Sequence, residues 1–60
     1  MTPRELKQIR LDAGLTQAQL AELFWLSSQN YISKLESGKY NPSNQLLILY
    51  KLLRERKLKL

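Results

Sequence analysis

Residues 15–39 read LTQAQLAELFWLSSQNYISKLESGK, and this stretch decides how the chain folds. Thr16 followed by Gln19 is a capping-box start, in which the hydroxyl takes one orphan amide and the glutamine returns to the cap's own N–H. Leu20, Ala21 and Phe24 then share one helical face, with Gln17 just above it. That helix is only about two and a half turns long and ends near Phe24 or Trp25, so packing must hold it. Ser27 or Ser28 is the next cap. Behind it Ile32 and Leu35 face inward, three apart, while Gln29, Asn30, Ser33, Lys34 and Ser37 fill the other side up to Gly38. The turn between the two helices contains neither Gly nor Pro, yet holds the chain's single Trp.

Working outward, Thr2-Pro3-Arg4-Glu5 starts a first helix with a Thr cap, Pro at the first position and Glu at the third. Leu6, Ile9 and Ala13 recur at helical spacing before Gly14 stops it. After the loop KYNPS, Ser43 or Asn44 caps a fourth helix through QLLILYKLLRERK, with Leu46, Leu49, Tyr50 and Leu53 inward and Leu47 and Leu52 surplus to that stripe. The spacing predicts helices over about residues 2–13, 17–25, 28–37 and 44–57 in a single domain covering 1–60. An all-α, compact bundle of four to five short helices follows.

Composition agrees. Val is absent and there are only two Gly and two Pro, which favours helices over strands. With no Cys and no His, the chain lacks thiolate or imidazole metal ligands, disulfides and the usual general base. No carboxylate pair or Gly-rich phosphate loop is visible, so neither catalysis nor a cofactor or metal is expected. About a dozen apolar side chains fill one small core and leave no room for a buried small-molecule pocket. The N-terminus has no signal-peptide pattern, and the longest apolar run, residues 46–50, is too short to span a bilayer. A cytoplasmic location is expected.

The net charge of +5 lies wholly in the second half. Arg4, Lys7 and Arg10 are balanced by Glu5, Asp12 and Glu22. Residues 31–60 set Lys34, Lys39, Lys51, Arg54, Arg56, Lys57 and Lys59 against Glu36 and Glu55. Such asymmetry suits a polyanion, although a solvated basic surface looks the same on charge alone. The outer face of the third helix is more informative. It carries amides, hydroxyls and a Lys, with no acid before Glu36. Amides bond adenine, Lys reaches guanine or a phosphate, and hydroxyls bond phosphates. Short helix, turn and second short helix with amides at its start describe a helix-turn-helix.

The chain resembles the Cro/cI-type (XRE) helix-turn-helix domains, a lambda-repressor-like DNA-binding fold, from about Leu6 to Leu53. The marks are Arg10, G-L-T-Q at 14–17, L-A at 20 and 21, I-S-K-L-E at 32–36, Gly38 and N-P-S at 41–43. This resemblance implies a double-stranded DNA partner, bacterial or phage origin, and a transcriptional regulator, first of all a repressor. It implies base contacts from Gln29, Asn30, Ser33 and Lys34, and backbone contacts from Gln17, Ser37, Lys39, Tyr40 and Asn41. Tyr31 is either a phosphate contact or a packing residue. A structural ion pair between Arg10 and Glu36 is implied too, fixing helix 1 against the reading helix. Such domains bind paired half-sites as homodimers, and Leu47, Leu52 and Leu58, with Leu60, are the candidate dimer contacts. An antitoxin, a restriction-gene controller, a protein-interaction module and a membrane-surface peptide are the alternatives.

The turn departs from the family pattern. Trp25 stands where such domains place Gly, and eleven steps separate Ala21 from Ile32 where ten is usual. The extra residue is expected to let helix 2 continue through Trp25 and turn at Leu26-Ser27 without positive φ. Trp25 then either covers the core's edge, the favoured placement, or stands exposed near a partner; Leu26 plugs the core, and Ser28 joins the candidate base contacts. The tail after Leu53 can extend helix 4, fray, or add a strand through its alternating K-L-K-L, and an extended helix 4 with a frayed end is the favoured expectation.

Overall fold

Side-chain hydroxyls start all four helices of the computed structural model, which describes residues 1–58. These are α1 (Pro3–Asp12), α2 (Gln17–Leu23), α3 (Gln29–Ser37) and α4 (Asn44–Arg54). Thr2 and Thr16 form complete capping boxes with Glu5 and Gln19, while Ser28 accepts from the Asn30 amide and Ser43 from that of Leu46. Each cap satisfies an amide that the first helical turn leaves unpaired.

The four helix ends are also alike. A residue with positive φ follows each: Gly14 (74°), Trp25 (57°), Gly38 (86°) and Arg56 (60°). The next amide then donates back across the end, Leu15 to the Arg10 carbonyl (3.2 Å), Leu26 to Ala21 (2.8 Å), Lys39 to Lys34 (2.9 Å) and Lys57 to Leu52 (2.8 Å). This is the Schellman arrangement, in which a left-handed residue reverses the chain and an apolar residue after it packs on the helix just ended. Leu15 and Leu26 do so here, the first buried and the second half-buried against the core.

α3 packs against both α2 and α1, and α1 against α4. The core joins Leu6, Ile9, Leu20, Phe24, Ile32, Leu35, Leu46, Tyr50 and Leu53, with Leu15 and Ala21 completing it. Fully burying a Leu or Ile contributes about 1.5–3 kcal/mol, so Leu20, Ala21 and Phe24 can hold α2, which is too short to persist alone. Phe24 meets Tyr50 edge to face, centroids 5.0 Å apart and planes at 84°. The Tyr50 hydroxyl is buried and has no hydrogen-bond partner among the described residues. Burial pushes that phenol well above its ordinary pKa, and the Glu36 charge adds to the shift.

Four expectations fail. α2 stops at Leu23 instead of continuing through Trp25, and Trp25 adopts the left-handed conformation that the extra residue was expected to avoid. The reason is the Leu26-to-Ala21 bond, which needs a positive φ at the intervening position whatever side chain it carries. Trp25 is also not half-buried: it is 81% exposed. Finally, α4 ends at Arg54, because Arg56 reverses the chain and brings Leu58 back to half-burial on the core. An open groove of about 670 Å³ lies between this returning tail and the end of α1. No described helix is long and apolar enough to cross a membrane.

Candidate nucleic-acid interface

Positioning of α3 starts from Arg10, a charged residue of α1 buried at the core. Its Nε donates to Glu36 Oε2 at 2.7 Å and its Nη2 to Oε1 at 3.2 Å, a fork that matches the carboxylate edge. Nη1 donates to the Leu15 carbonyl at 2.8 Å. Gln17 Nε2 completes the set, donating to Glu36 Oε1 at 3.3 Å. The Glu36 carboxylate thus ties α3 to α1 and α2, and the Arg10 guanidinium adds the loop after α1. With side chains only 9% and 5% exposed, neither charge of the pair can be left alone cheaply.

Glu36 is the only acid on α3, and Arg10 holds it inward. Asn30, Ser33, Lys34 and Ser37 lie opposite Ile32 and Leu35, Gln29 stands on the flank at the head of the helix, and all five are exposed, so the outer face presents amides, hydroxyls and an ammonium and no anion. Ser28 stands at the head of this face, its Oγ engaged as the cap of Asn30. Gln17 is half-buried at the other end of the unit, and its amide is shared with Glu36.

A second group gathers where α3 ends. Lys34 Nζ lies 5.2 Å from the centroid of the Tyr40 ring and 3.5 Å from its hydroxyl. The Tyr40 ring in turn lies 5.6 Å from that of half-buried Tyr31. An exposed cation on an aromatic face gains roughly 0.5–1 kcal/mol. Lys39 and Asn41 flank Tyr40, exposed, and the Ser37 hydroxyl donates to the Lys34 carbonyl at 3.1 Å. Sequence reasoning missed the Lys34–Tyr40 pairing. The signal available was Gly38 after Lys34, since a left-handed reversal there returns residue 40 toward residue 34.

The dimer candidates divide. Leu47 and Leu52 are half-buried on the two flanks of α4. Leu58 is half-buried against its own core, and Leu60 lies outside the described residues. Ile48, not singled out from sequence, is 57% exposed one turn before Leu52.

A helix-turn-helix family model matches residues 6–50, from the first core residue of α1 to the tyrosine at the centre of α4. No curated protein and no solved structure matches the chain significantly. With all four helices, the capped turn and the clamped α3 inside or adjoining the matched span, the chain belongs to the XRE-type helix-turn-helix family of DNA-binding regulatory domains.

Proposed function

We propose that this chain is a sequence-specific regulator of transcription that sets α3 in the major groove of double-stranded DNA and acts as a repressor. The observation that carries the reading is the acid-free outer face of α3, made so by Arg10 drawing the helix's one carboxylate inward. A helix shaped only for solubility would mix Glu with its Lys. This one offers Gln29 and Asn30, whose amides bond adenine in pairs, at the end that enters the groove first. Ser33 lies one turn on. Gln17, Ser37, Lys39 and Asn41 rim the helix as phosphate contacts, and the positive second half of the chain supplies the sequence-independent attraction.

One such unit reads few base pairs, so we place it in a homodimer on paired half-sites, with Ile48 and Leu52 on one flank of α4 as the contact. Occupancy then rises with concentration through dimer assembly, and bound protein excludes the transcription machinery. Selection of bound sequences from random duplexes tests the whole reading. The expected motif has two-fold symmetry and half-sites about 34 Å apart. A motif without symmetry removes the dimer, and no enrichment at all removes specific recognition. Within the motif, Gln29→Ala is expected to relax preference at one or two positions, by about 1–3 kcal/mol for a lost bidentate contact.

A further inference from the structure

We infer that Tyr40 is a positioning residue which fixes the Lys34 ammonium for a DNA backbone phosphate, so that Lys34 anchors the strand and does not read a base. The inference rests on the DNA-binding reading above and specifies one part of it.

The construction begins in the backbone. The Lys34 carbonyl accepts from the Lys39 amide at 2.9 Å, the Tyr40 amide at 3.3 Å and the Ser37 hydroxyl at 3.1 Å. Gly38, at φ 86°, makes that reversal possible. The loop is therefore fastened to the residue whose side chain it meets. Above this anchor, the Tyr40 ring lies within 5.2 Å of Nζ, and its hydroxyl lies 3.5 Å from it. Tyr31, one helical turn back, meets the far side of the cluster, its ring 5.6 Å from that of Tyr40 and tilted by 49°.

A lysine that reads guanine must extend its stem to the groove floor, where O6 and N7 lie. Here the ammonium is drawn toward the loop after α3, away from the Gln29 and Asn30 end of the helix. A phosphate needs only a point charge near its oxygens, which a lysine supplies without a fixed geometry. No carboxylate is paired with Lys34 in the described residues, so its charge is not already neutralised.

The full chain and its Lys34→Ala, Tyr40→Leu and Tyr40→Phe variants should be compared on the selected duplex and on single-base-pair variants of it, over a salt series. Circular dichroism melts check that each variant is folded. Lys34→Ala is expected to weaken binding about five- to tenfold on every duplex alike, and to lower the slope of log affinity against log salt by about 0.9. Tyr40→Leu should weaken binding less, and should have no further effect once Lys34 is Ala. Tyr40→Phe, which keeps the ring, should restore most of the loss. Relaxed preference at one or two base pairs in Lys34→Ala, with the slope unchanged, would overturn the inference while leaving the DNA-binding reading intact. A Tyr40→Leu loss that persists in the Lys34→Ala background would overturn the positioning role. Failure of the parent chain to bind any duplex at low salt would overturn both readings.

Discussion

The two ends of α3 are entered and left through the same backbone device, built from opposite materials. After α3 the left-handed position is Gly38, where positive φ carries no side-chain penalty, and the end is also clamped by the buried Arg10–Glu36 pair. Before α3 the left-handed position is Trp25, at φ 57° and 81% exposed, so its side chain recovers nothing from the core. A left-handed L-residue costs roughly 1–2 kcal/mol. The turn holds because its neighbours over-determine it: the Leu26 amide caps Ala21, Leu26 packs on the core, and Phe24 is locked against Tyr50. One end is thus stabilised by the residue in the turn, the other by everything around it.

That contrast predicts unequal responses. The largest belongs to the clamp: Glu36→Ala strands the Arg10 charge in the core and should destabilise by about 3 kcal/mol in denaturant melts. A loss under 1 kcal/mol would mean the C-terminal end is held by Gly38 alone. Gly38→Ala comes next, with about 1–2 kcal/mol expected from backbone strain. Space is not the issue, since an added Cβ would meet only Pro3 Cγ, at an ordinary 3.5 Å.

Tyr50→Phe removes the unpartnered hydroxyl beneath Phe24 and should stabilise by about 1 kcal/mol near neutral pH. The sign with pH follows from the raised phenol pKa. The folded protein keeps that proton where the unfolded chain releases it, so the contribution is present below the ordinary value of 10 and is lost as pH rises above it. The parent should therefore lose stability above pH 10 faster than Tyr50→Phe does, which paired melts across that range will show. The smallest effect is at the other turn. Trp25→Gly relieves the strain but frees the unfolded chain, for a net gain of about 0.5 kcal/mol. A loss instead would show that the exposed indole contributes to the fold after all.

Much of this was legible in the residues. Thr2, Thr16 and Ser43 start helices because a hydroxyl followed by an apolar period has few other local uses, and Gly14 and Gly38 stop them for an equally local reason. Ile32 and Leu35 were readable as inward because burial and helical spacing coincide. Trp25 was not readable in this way, since a bulky residue at a left-handed position contradicts local preference. The end of α4 was missed for the same reason, since Arg56 gives no stop signal and only the docking of Leu58 rewards the reversal. On the interface, residue types marked the outer face of α3, but not that Gln17 shares its amide with Glu36 or that Lys34 turns toward Tyr40.

By itself, then, the sequence determined what is governed within a few residues: four capped helices, their apolar faces and an unacidic face on α3. Tertiary structure decided whatever requires a distant partner. It forced Trp25 and Arg56 into strained turns, because burying Leu26 and Leu58 and closing the helix-end hydrogen bonds outweighs a penalty of a kcal/mol or two. It also turned Glu36 inward across a 26-residue separation, because in the core Arg10 is the cation within reach of that carboxylate.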